Sequence, residues 1–114
     1  MRKQIVENAA FEVATQIRTV EDCIEEALVE IADLQSKMLR ARAATGVATS
    51  TGHAALEQLA TAVQALVTAR GGMANCHGEL RDAKQFVPGL RAVSFGDGSE
   101  CPPKVAQADL RIVA

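Results

Sequence analysis

The chain has no tryptophan and no tyrosine, and its only aromatic residues are three phenylalanines among 114 residues. A compact core usually takes much of its buried area from large aromatic side chains. Here Ala, Val, Leu and Ile must do that work, which favours long helices packed side by side. Cysteine is scarce too. Cys23, Cys76 and Cys101 are odd in number and widely spread, so they do not form a disulfide framework. No apolar run approaches the length that crosses a bilayer, and charges interrupt every candidate. The first residues, MRKQIVENAAF, open with two bases but lack the unbroken apolar stretch of a secretory signal. These absences lead to the expectation of a cytoplasmic protein with no membrane partner.

Catalytic signatures are missing as well. There is no G-x-S-x-G, no H-E-x-x-H, and no Ser/His/Asp set that can be ordered into a triad. Gly71-Gly72 and Gly78 fall inside a helical pattern and not between a strand and a helix, so they do not read as a phosphate loop. The expectation is a protein that is not an enzyme, with no catalytic residue, no cofactor and no metal ligand.

What is present is periodicity. Val6, Ala10, Val13, Ile17, Val20, Ile24, Ala27, Ile31, Leu34, Met38 and Ala41 alternate in steps of four and three without a slip. That spacing holds all of them on one stripe of an α-helix. Sustained over five heptads, it reads as a coiled-coil seam. The a positions are Ala10, Ile17, Ile24, Ile31 and Met38, and the d positions are Val6, Val13, Val20, Ala27, Leu34 and Ala41. The apolar surface also spreads onto a flank, through Ala14 and Leu28 at e and Phe11, Ala32 and Leu39 at b. An arc of about 150° is more than one partner helix covers.

The chain therefore reads as one domain: an all-α antiparallel two-helix hairpin of long coiled-coil-like helices. Helix 1 is expected at about 3–44, a loop at 45–52 and helix 2 at about 53–87, closed by Pro88-Gly89. Ser50 or Thr51 is the expected N-cap of helix 2. Its seam runs Ala55, Leu59, Ala62, Leu66, Ala69, Met73, Cys76, Leu80, Ala83, Val87. This alternation of small and large residues suits close helix approach, and it makes Cys76 a small buried hydrophobe. Gly71 and Gly78, seven residues apart, mark a place where another backbone could come close. Residues 90–114 change character. Leu90–Phe95 suits an extended piece, Gly96-Asp97-Gly98 a turn, and Cys101-Pro102-Pro103 forbids helix. They form an irregular C-terminal arm of extended or short elements.

Two long helices alone make a poor core, so a homodimer or higher assembly completing a four-helix bundle is expected. Its packing seam is Ile17, Ile24, Ile31, Leu59, Leu66, Met73 and Leu80. A turn centred near Thr49 sets residue i beside roughly 97 − i, which brings Phe11 to Phe86 and Arg70 to Glu26 and Glu30.

Charge is segregated. Residues 1–33 carry three bases against eight acids, and 34–96 carry seven bases against three acids. Glu21, Asp22, Glu25 and Glu26, with Glu30 and Asp33, form an acidic band, while Arg70, His77, Arg81, Lys84 and Arg91 form a basic stripe. Glu21, Asp22, Glu25, Glu26, Arg70, Arg81 and Lys84 are the candidate partner surface, and the two bands read mainly as complements of each other. Nucleic-acid binders carry a larger basic excess, often interleaved with aromatics, which argues against nucleic acid as a partner. Adjacent Cys76 and His77 point about 100° apart on a helix and lie at no zinc-ligand spacing.

The reading that follows is a small oligomeric helical structural or interaction protein: an adaptor, scaffold or assembly factor, with another protein as a further partner. Frequent Arg and Ala suggest bacterial or phage origin. The alternatives are a nucleic-acid-associated regulatory or packaging subunit using the basic stripe, and a metal or thiol sensor using Cys76 and His77.

Overall fold

The structure, a computed structural model, describes residues 2–90. The expected C-terminal arm, with Arg91, Asp97 and Cys101, lies outside the described residues apart from Leu90. Those residues form two α-helices packed against each other, with no strand among them. Helix α1 spans Arg2–Thr45 and helix α2 spans His53–Ala83, followed by a 3-10 turn over Lys84–Phe86. By periodicity alone the second helix would run as α-helix to Val87. It tightens at Lys84 instead, where Val87 N–H bonds the Lys84 carbonyl at 3.1 Å. Pro88 follows one residue later, and the residue before a proline is pushed out of the helical region. Val87 is accordingly extended, with φ −103° and ψ 118°.

Two compact units make up the described chain: a terminal unit of residues 2–20 with 72–90, and a loop unit, Glu21–Gly71. In the loop unit, α1 stops at Gly46, whose φ of +69° suits glycine. Its N–H bonds the Ala43 carbonyl at 3.2 Å, and the Arg42 guanidinium donates to the Val47 carbonyl at 3.2 Å. The start of α2 departs from expectation. Leu56 N–H bonds the Gly52 carbonyl at 3.2 Å, so Gly52, at φ +79°, takes the cap position and not Ser50 or Thr51.

Burial differs from the expected seam by a rotation. In the loop unit the half-buried residues of α2 are Leu56, Leu59, Val63 and Leu66, while Ala55, Ala62 and Ala69 are exposed. On α1, Ile24, Ala27, Leu28 and Ile31 are half-buried and Leu34 is 49% exposed. The inner stripe of α2 is thus turned by roughly 50°, half of one residue's step, from the a/d seam, and that of α1 by about half as much. On α2 of the loop unit size favours the turn: both stripes share the Leu59/Leu66 row, but Leu56 and Val63 carry more apolar surface than Ala55 and Ala62. Each buried methylene gains about 0.8 kcal/mol.

The terminal unit keeps the same phase. Ile17 at 8% and Leu90 at 4% exposure are its buried hydrophobics, and His77 at 5% is buried beside them. Cys76 and Ala83, one residue behind on the small row, are exposed. The expectation of a buried Cys76 is corrected here. Phe11 and Phe86 both belong to this unit, and both are exposed, Phe86 at 85%. The helical glycines do not mark a close approach: a Cβ added at Gly71, Gly72 or Gly78 meets nothing within 4 Å among the described residues.

Candidate functional site

Two features stand out, one in each unit. In the terminal unit, a groove of about 190 Å³ is lined by Ala10, Ala14 and Ile17 of α1 with His77 and Leu80 of α2. Val87 and Leu90 close one edge. The two alanines leave the space that lets an imidazole sit inside, and the rotated stripe of α2 aims it there. Arg81 and Lys84, also half-buried, line the same groove. Long basic side chains can cover apolar surface with their stems while the charge stays wet. The sequence placed His77 on a polar flank. The signal that could have found it was the row Leu56, Val63, Arg70, His77, Lys84, continued from its apolar half, together with the facing Ala10 and Ala14.

Cys76 and His77 face different surroundings. One is exposed and the other buried, on different sides of α2. Among the described residues, no three His, Cys, Asp or Glu side chains gather as a metal site. His53 instead pairs with Glu57 one turn on, Nε2 to Oε1 at 3.0 Å, on an exposed surface.

In the loop unit the acidic band and the basic stripe meet at one point. Arg70 Nε donates to Glu25 Oε1 in an ion pair that joins α2 to α1. The expected partners were Glu26 and Glu30, so the register is slightly tighter, with residue i beside about 95 − i. The hydrogen bond and charge of Glu25, with a smaller contribution from Glu21, raise the Arg70 pKa above its ordinary value. Both side chains remain more than half exposed. Glu21 is half-buried, whereas Asp22 and Glu26 lie in solvent. Arg81 Nε lies 3.4 Å from Asp82 Oδ1 in the terminal unit.

The seam residues are covered to different degrees. Ile17 is buried, Ile24, Ile31, Leu59, Leu66 and Met73 are half-buried, and Leu80 is 40% exposed. No residue of the loop unit is buried. Near its turn, a shallow cavity of about 410 Å³ is lined by Met38, Leu39, Val47 and Leu56.

The fold and this surface define an all-α helical hairpin with a thin core and much apolar surface left outside. Comparison with family models, curated proteins and solved structures finds no match to the chain.

Proposed function

We propose that this chain is a small helical structural or interaction protein that works as an oligomer, in the manner of an adaptor, scaffold or assembly factor. One observation carries the reading. Among the described residues two hydrophobic side chains are buried, while ten large ones are 40% exposed or more. Exposed apolar side chains mark interaction surfaces where they lie together. A chain of about 100 residues needs a larger core than this to offset the conformational entropy of folding. A partner helix layer supplies the missing burial, most simply from a second copy completing a four-helix bundle.

Two facts weigh against the basic stripe as a nucleic-acid surface. Arg70 is engaged by Glu25 and Arg81 by Asp82, and no aromatic side chain interleaves the stripe for stacking. The exposed, unbridged Cys23 and Cys76 suit a reducing compartment such as the cytoplasm. No helix of the described residues is long and apolar enough to cross a membrane.

Sedimentation equilibrium at micromolar concentration tests the proposal, with an expected mass of at least twice the chain's 12.0 kDa. A monomer that unfolds cooperatively at all concentrations would overturn it. Retention on heparin, lost steeply with added salt, would favour the nucleic-acid reading.

A further inference from the structure

We infer that the loop unit docks against a second copy of itself, antiparallel, about a two-fold axis that passes near Leu34 of α1 and Ala62 of α2. The inference rests on the oligomeric reading above and names its surface.

The face concerned is formed by the exposed Leu34 of α1 with the exposed Ala55, Ala62 and Ala69 of α2, and the half-buried Ala27 lies at its margin. It adjoins the half-buried Ile31, Leu59 and Leu66. The rotation of both helices leaves these residues on one side of the hairpin, where the small side chains of α2 permit close approach of a flat partner. No residue of this helical unit of roughly 50 residues is buried, so it has little core of its own. Leu34, 49% exposed, is the largest side chain on this face.

Charge selects the occupant and its direction. On α1 of the loop unit the acids come first, from Glu21 to Asp33, and the bases follow, at Lys37, Arg40 and Arg42. Such a pattern is complementary to its own reverse. In an antiparallel copy Glu30 meets Lys37 and Glu26 meets Arg40, and by symmetry each pair forms twice. Glu30 and Lys37 share one heptad position at the edge of the face, the geometry that antiparallel helices use for such pairs.

The centre of that charge pattern lies between residues 33 and 34. By the Arg70–Glu25 register, the level opposite on α2 is about residue 61 or 62. That is the middle of the row Ala55, Ala62, Ala69. The charges of one helix and the small residues of the other were placed independently, and they share one centre. A parallel copy would set acid on acid over 21–33 and base on base over 37–42, and a partner of unrelated sequence has no reason to share that centre.

The test uses the full chain with Cys23, Cys76 and Cys101 changed to Ser. Ala62→Cys in that chain should oxidise to a covalent dimer within minutes, because residue 62 meets itself on the axis. Ala55→Cys or Ala69→Cys alone should not, but a mixture of the two should give the crossed product. In the parent chain, Glu30→Lys or Lys37→Glu should each weaken the dimer about tenfold, by replacing attraction with repulsion at two symmetric pairs. The double exchange should restore it. A dimer that neither cross-links at 62 nor responds to the charge exchanges overturns this face and leaves the oligomeric reading standing. A monomeric parent chain overturns both.

Discussion

The two units are built from the same two helices yet solve the same problem differently. In the terminal unit, Ile17, His77 and Leu90 are buried, and a groove runs between small residues on α1 and a mixed stripe on α2. In the loop unit the inner stripe is richer in Leu and Val, yet nothing is buried. Apolar content therefore does not predict which unit has a core. In the terminal unit Leu90, beyond the end of α2, lines the same groove as Ile17 and His77, whereas the loop unit holds no buried residue. Two helices in contact along one stripe leave each other half-covered, however apolar the stripe.

The sharpest way to break this contrast is a pair of equivalent truncations. Ile17 and Ile31 occupy the same heptad position. Ile17→Ala should cost roughly 2–5 kcal/mol, the range for deleting a buried aliphatic side chain. Ile31→Ala should cost less than half of that at low protein concentration, and more as concentration rises and the face is covered. Urea denaturation of both variants across a concentration series measures this. Equal costs at every concentration would mean that the two units are covered alike.

His77 gives the next largest effect. It lies within the apolar groove, so His77→Asp places a carboxylate where water is scarce and should cost about 2–4 kcal/mol. His77→Leu should fold as well as the parent. If both variants behave like the parent in thermal melts, the imidazole is not inside the terminal unit.

Gly72→Ala sharpens the comparison where the units adjoin in sequence. A Cβ there meets nothing within 4 Å among the described residues. The substitution should therefore stabilise by about 0.5–1 kcal/mol through helix propensity alone. Destabilisation would reveal a neighbour pressed against that backbone.

Arg70→Met should have a smaller effect, confined to low salt. The pair with Glu25 is exposed on both sides, and such pairs are screened. Because Glu25 raises the Arg70 pKa, this contribution is present below the ordinary arginine range while the Glu25 carboxylate is charged, and it is lost as pH climbs through the raised value. Melting curves of parent and variant should then run parallel from about pH 7 to pH 9 and converge in about 1 M salt.

Much of this was legible in the sequence. Heptad spacing placed two long helices, and Gly46, Gly52 and Pro88 bounded them, because backbone conformation and periodicity are local properties. The rotation of the stripes was not legible. The seam through Ala55, Ala62 and Cys76 is as regular as the one through Leu56, Val63 and His77, and both contain the Leu59/Leu66 row. Choosing between them requires the facing surface: Leu56 and Val63 bury more, and Ala10 and Ala14 make room for His77. The same choice moved Cys76 outward and left Phe86 in solvent. Regular spacing marks a helix and does not by itself mark its buried face.

The smallest effect expected, and the most direct test of the rotation, is at Cys76. On the seam read from spacing, its thiol would sit between helices, shielded from reagents and sensitive to replacement. The rotated stripe leaves it exposed on the terminal unit, outside the loop-unit face proposed to pair. Cys76→Ala should then change stability by no more than about 0.5 kcal/mol, as surface substitutions do. In a chain with Cys23 and Cys101 changed to Ser, a water-soluble disulfide reagent should modify Cys76 in the native state as fast as in urea. Dimerisation through Ala62 should leave that rate unchanged. A thiol that reacts only after unfolding would place the small-residue row back inside, and with it the whole a/d seam.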